Sequence, residues 1–234
     1  MSETVCDPLF EKREKLVMRL MPYVQKNGFS SLKMDDAAKY MDISKPTMYK
    51  YFASKTEIAE SLIDKFVLYV SHQMLAEAPP KLSPELQSQP TAEELKFYNE
   101  SFAIAFKLTI KLSFYLTDVL LQDLNASYPD LYAKLAGAIE LCKNKLADYF
   151  NSGIALGVFY PIHAGLYLTQ SDLVFRKILD PKWLMLQNMT MKQALMDFYK
   201  SMKHQVFYEK WLDEDNSVMG AYFDALIAGM RAYE

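Results

Sequence analysis

Apolar side chains recur along this chain at intervals of three and four residues and nowhere alternate over the length of a strand, so the pattern predicts an all-α protein. Leu16, Leu20 and Val24 mark a first helix from about Leu9 to Lys26, stopped by Asn27-Gly28. Met34, Ala37, Ala38 and Met41 mark a short second helix. Ser44 then offers an N-cap oxygen to a third, from Lys45 to Phe52, with Pro46 in its first turn, where a missing N–H costs nothing. Met48 and Phe52 point inward at i, i+4, which turns Lys45, Thr47, Tyr49, Lys50 and Tyr51 outward. Ser54 and Glu57 form a capping box for a helix carrying Ile58, Leu62, Phe66 and Tyr69 to near Ala76.

Pro79 to Pro90 holds four prolines in twelve residues and reads as a loop. Beyond it, Thr91 and Glu94 cap a long helix reaching about Leu124, and Pro129 opens another that runs to about Gly153. Gly157 and Pro161 interrupt the pattern. A helix from Ala164 to Leu179 ends at Asp180-Pro181, one from Thr190 ends near Trp211, and Ser217 opens the last. Tyr149 to Ser171 carries no charge over a length that would span a bilayer. Pro161 at its middle, with Asn151, Ser152, His163 and three glycines, makes it a helix end, a turn and a helix start instead.

The pair of short helices around Asp42 is the most informative stretch. Cations, hydroxyls and aromatics exposed on one short helix suit contact with phosphates and base edges, and two such helices joined by a tight turn form a helix-turn-helix. The run Ile43-Ser44-Lys45-Pro46-Thr47-Met48-Tyr49-Lys50-Tyr51-Phe52, followed by Ser54-Lys55 and preceded by Gly28-Phe29 and Ala38, resembles the DNA-binding domain of the TetR family of transcriptional regulators. The resemblance covers roughly residues 9 to 70. Two positions depart from it. Asp42 stands at a turn position usually held by Gly, which Asp tolerates through its access to left-handed backbone. Lys33 stands where Ser or Thr often opens the first helix of the pair.

Composition adds limits more than roles. The net charge is −3, but three lysines and no acid lie between Ile43 and Thr56, so the positive field is local to the third helix. Two cysteines, Cys6 and Cys142, suggest neither a disulfide framework nor a zinc site, and they fit a reduced, cytoplasmic protein. The acid-bearing N-terminus lacks the apolar stretch of a signal peptide. His72, His163 and His204 stand apart, so no metal site or cofactor is expected. Asp35 and Asp36, adjacent on a helix, cannot face each other as an acid–base pair and are read as favouring the helix dipole. Ser30 to Lys33 matches S-x-x-K without its partner motifs. No constellation supports an enzyme.

The resemblance implies a division into a DNA-binding domain, residues 1–55 with a connecting helix to about 77, and an effector-binding and dimerisation domain, residues 78–234. It assigns Lys45, Thr47 and Lys50 to base edges, Tyr49, Tyr51 and Lys55 to phosphates, with Lys33 as one further phosphate contact. It implies a small, largely apolar effector in the second domain, with Phe106, Tyr115, Phe159, His163 and Tyr167 as candidate contacts; cavities serving such ligands commonly measure about 300–1,000 Å³. The residues alone equally allow these rings to be core. Ala221, Ala225, Ala228 and Gly229 form a small-residue stripe on the last helix, beside Tyr222. It is open to intrachain packing or to a two-fold interface, and the resemblance implies the latter. The expected function is a homodimeric regulator, a repressor released from a palindromic double-stranded operator by its effector. The rival is a regulator without a ligand, whose second domain serves dimerisation or a protein partner.

Overall fold

The structure is a computed structural model and describes residues 8–77, 79 and 89–231. Cys6 and most of the Pro79–Pro90 loop lie outside the described residues. Among the described residues the regular structure is helical, apart from one antiparallel bridge between Phe159 and Phe207. The helices are α1 (Pro8–Met18), α2 (Met21–Asn27), α3 (Met34–Tyr40), α4 (Lys45–Tyr51), α5 (Lys55–Leu68), α6 (Leu75–Glu77), α7 (Ala92–Tyr115), α8 (Asp118–Ser127), α9 (Pro129–Ala155), α10 (Ala164–Ile178), α11 (Pro181–Leu186), α12 (Met191–Val206) and α13 (Ser217–Arg231). A π-helical turn, Tyr69–Met74, joins α5 to α6.

Three expected helices are divided. The first is split at Arg19-Leu20, because Pro22 in the opening turn of α2 has no N–H to continue the ladder from α1. The long helix from Thr91 stops at Tyr115, and Thr117 caps a separate α8 by accepting the Leu120 N–H. The helix from Thr190 ends at Val206, where Phe207 turns extended to bridge Phe159; a 3₁₀ turn, Glu209–Trp211, follows. Asp180 and Pro181, expected only to stop a helix, also start α11: the Asp180 carboxylate accepts the Lys182 N–H.

The chain forms two compact units. One comprises the residues through Gln73 together with Leu116–Ile139; the other comprises Met74–Tyr115 and Glu140 onward. A cut at residue 78 therefore leaves out α8 and the first part of α9, which cluster with the N-terminal helices. In the first unit Leu16, Leu20, Val24, Ala37, Met41, Met48, Phe52, Ile58 and Leu62 are buried, joined by Leu120 and Leu124 of α8.

The second unit has an aromatic core. Phe106 packs on Phe175 at 4.8 Å and on Tyr199 at 5.0 Å, Phe150 on Tyr167 at 5.0 Å, and Phe159 on Phe207 at 4.7 Å. The buried phenols are satisfied internally: Tyr98 donates to Ser152 Oγ, Tyr149 to the Tyr98 carbonyl and Tyr167 to the Met202 carbonyl. Burial holds Tyr149 and Tyr167 well above the usual phenol range and pushes Tyr199 up to about 12.

Gly28 links this architecture to the site. Its φ is +73°, and a Cβ there would lie 2.6 Å from the Asp123 carboxyl carbon. Gly28→Ala combines left-handed strain with a clash against an anchored side chain, and is expected to cost about 1–3 kcal/mol. Thermal unfolding should show a melting temperature lower by several degrees; an unchanged value would contradict this account.

Candidate nucleic-acid interface

α4 is built by its cap. Ser44 is extended, and its Oγ accepts the Thr47 N–H at 3.2 Å and lies 2.7 Å from Thr47 Oγ1. Met48 and Phe52 are fully buried, so the opposite face is presented outward. The turn before it closes through Asp42, whose φ is +55°, with the Ile43 N–H donating to the Ala38 carbonyl at 3.1 Å. Arg19 reaches the Met41 carbonyl at 2.7 Å and so ties α3 to the break between α1 and α2.

The candidate contacts differ in how free they are. Lys33, at the start of α3, and Lys50 are exposed and have no ion-pair partner among the described residues. Tyr49 is also exposed. Tyr51 is half-buried, with the Lys12 ammonium 5.8 Å from its ring centre. The Thr47 hydroxyl is shared with Ser44, and Lys45 is paired with Asp35 at 2.6 Å. Lys55 is half-buried at the first position of α5, where Ser54 Oγ accepts the Glu57 N–H. Glu57 returns to the Ala53 N–H rather than completing the expected capping box, and pairs with Arg13.

Lys55 also donates to the Ser30 carbonyl at 3.0 Å, which connects it to an anchor that the sequence did not disclose. The Asp123 carboxylate of α8 accepts the N–H of Phe29 at 2.6 Å and of Ser30 at 3.1 Å. Thr117 donates to the Gln25 carbonyl at 2.6 Å, and Ser127 Oγ lies 3.2 Å from Ser30 Oγ. Successive N–H groups after a left-handed glycine form an anion-binding concavity, and here a carboxylate from the same unit fills it.

In the second unit, Phe106 and Tyr167 line one internal void together with Phe102, Phe150, Phe175 and Met202. Its volume is about 10 Å³, at the threshold for one water and far below the expected range. Large rings meeting edge to face fill the space between these residues. Phe159 is buried in the adjoining stack. His163 and Tyr115 do not join that lining. His163 is exposed and caps α10, its Nδ1 accepting the Leu166 N–H, and Tyr115 is half-buried at the end of α7. Lys203 was not anticipated: it is buried and donates to the Asp213 carbonyl at 2.5 Å. Burial pulls its ammonium below the usual range, against the opposing pull of Asp213, Glu214 and Asp215.

On α13, Met219 and Phe223 are buried, whereas Ala221, Ala225, Ala228 and Gly229 are exposed and Tyr222 is half-buried. A Cβ built on Gly229 meets nothing within 4 Å. The stripe is thus not used for packing within the described chain.

Residues 24–62 match the sequence model of a family described as bacterial regulatory proteins, tetR family. No curated protein sequence matches. Solved structures share the fold at low identity. A proposed transcriptional regulator from Saccharomonospora viridis, solved with choline, is 15% identical with a TM-score of 0.59, covering 85% of this chain and 99% of its own. A TetR regulator from Chloroflexus aurantiacus is 14% identical with a TM-score of 0.56, covering 84% and 96%. The ketosteroid regulator KstR2 of Mycobacterium tuberculosis is 18% identical with a TM-score of 0.52, covering 84% and 95%. The match to the family model is thus confined to the helix-turn-helix segment, and the remainder of the chain shares with these solved regulators an all-helical fold. No helix among the described residues is long and apolar enough to cross a membrane.

Proposed function

We propose that the protein is a homodimeric, cytoplasmic repressor that grips a two-fold operator with one α4 from each protomer. The observation that carries this is the outward face of α4, whose cap and buried Met48 and Phe52 leave Tyr49 and Lys50 exposed, with Lys33 also exposed before α3. Lys45, Thr47 and Lys50 read base edges; Lys33, Tyr49, Tyr51 and Lys55 position the head on phosphates. A two-fold operator requires a two-fold protein, and the exposed Ala221–Gly229 stripe beside Tyr222 is the surface we assign to self-association.

An effector in the unit formed by Met74–Tyr115 and Glu140 onward would relieve repression, provided that it binds the DNA-free conformation more tightly. Supporting this is the shared fold with a protein solved in complex with choline. The filled aromatic core favours a second reading, in which that unit serves only dimerisation or a protein partner. Native mass spectrometry of the purified protein separates the two. A retained small molecule, displaced on binding operator, is expected for the first; a ligand-free mass that no small-molecule library alters would leave the second.

Selection from a randomised duplex pool should enrich a two-fold sequence. Lys55→Ala should weaken binding to all duplexes alike, whereas Lys50→Ala should also relax preference at one base pair, worth about 1–3 kcal/mol of discrimination. Enrichment of no sequence, or of an asymmetric one, would refute the operator assignment.

Ala225→Arg enters a two-fold interface twice and places like charges in an apolar seam. Light scattering should report a folded monomer with weakened operator binding and unchanged helicity by circular dichroism. A wild-type monomer at micromolar concentration would refute the dimer.

A further inference from the structure

The cation at the start of α4 is already occupied. Lys45 Nζ lies 2.6 Å from Asp35 Oδ1, across the turn between α3 and α4. The pair is open to solvent: the Lys45 and Asp35 side chains are 53% and 63% exposed. Each partner holds the other charged. The hydrogen bond from Lys45 keeps the Asp35 carboxyl below its usual range, and the same bond raises the Lys45 ammonium. Asp36 beside it is engaged by Lys39 at 3.1 Å, so Asp35 serves Lys45 while its neighbour serves the helix that carries both.

A carboxylate and a phosphate offer a lysine the same partner, an anionic oxygen pair at hydrogen-bonding distance. So exposed a contact is too weak to organise the fold and easily exchanged. We propose that on duplexes of unrelated sequence, where Lys45 has no matching base edge to read and would fall back on phosphate, Asp35 is an internal competitor for that phosphate, and that it holds down the undirected affinity of the DNA-contacting helices. A head whose cations were all free would settle on any stretch of DNA, because phosphate contact is sequence-independent. With Lys45 neutralised, that undirected attraction rests on the remaining cations, among them the exposed Lys33 and Lys50. This inference rests on the assignment of the α4 face to DNA.

Fluorescence anisotropy with a labelled duplex of unrelated sequence, across a potassium chloride series, tests the inference. The proteins compared are wild type, Asp35→Asn, Asp35→Glu, Lys45→Gln and the double variant Asp35→Asn with Lys45→Gln. Freeing one cation adds one released counterion, so the slope of log K against log salt should steepen by about 0.9 for Asp35→Asn. That corresponds to about eightfold tighter binding at 0.1 M salt, measured from 1 M where the counterion contribution vanishes. Asp35→Glu should behave as wild type. In the Lys45→Gln background, Asp35→Asn should leave the slope unchanged. Thermal melts should coincide throughout, as expected for an exposed pair.

An unchanged slope in Asp35→Asn overturns the inference. So does steepening that persists without Lys45, which would mark the mere loss of an acid from the face. A wild type that binds no duplex, even one selected from a random pool, overturns the DNA assignment and the inference with it. A wild type that binds its selected duplex while Asp35→Asn is neutral overturns the inference alone.

Discussion

The Asp123 carboxylate, seated on the backbone N–H groups of Phe29 and Ser30, is the contact on which the first unit is arranged. Both donors follow a left-handed glycine and lie outside any helix; the Ser30 N–H is open to water, but the part-buried Phe29 N–H would be stranded without an acceptor. The carboxylate satisfies both, and the Ser30 carbonyl on the same turn receives Lys55. One turn of three residues therefore sets α2 against α3, binds α8 to both, and orients Lys55 of α5. A neutral amide in place of Asp123 would keep an acceptor but lose the charge that shortens these bonds.

Charge on the outer face and hydrocarbon beneath it divide the work of α4. Met48 and Phe52 hold the helix against the core, and the Arg13 guanidinium stacks 4.9 Å from the Phe52 ring while pairing with Glu57. Outward residues are thus free to vary at fixed architecture. The other unit follows the opposite rule. Tyr98, Tyr149 and Tyr167 donate to carbonyls and a hydroxyl within the same core, so each of these three rings is held by packing and by a bond. Removing any one of them would leave an unmatched acceptor as well as a hole.

Local signals in the chain were read well, and distant ones were not. Ser44, Thr91 and Thr190 cap the helices expected of them, because a cap is written within four residues. Asp42 adopts the left-handed backbone that its side chain permits. The division of the first helix is also written locally, in Pro22, but the apolar spacing of Leu16, Leu20 and Val24 runs across it unbroken. The cap at Thr117 is masked in the same way: Leu112, Leu116, Leu120 and Leu124 continue at i, i+4 straight through the break. Asp123 had no local signal, since its partners lie more than ninety residues away. The Asp35–Lys45 pair needs the α3–α4 crossing to be known before either residue looks unusual. The effector contacts were inferred from ring content, which a packed aromatic core satisfies equally well.

α9 passes through both compact units, with Leu135 in the first and Cys142, Leu146 and Tyr149 buried in the second. An α-helix advances about 100° per residue, so one inserted or deleted residue between Cys142 and Tyr149 would swing Tyr149 more than a quarter-turn away from the face that Cys142 buries in the same unit. Loops elsewhere can absorb a change in length; this segment cannot. Descendants of this chain are thereby confined to exchanging side chains along α9, and lineage divergence there should be recorded in residue identity and never in residue number.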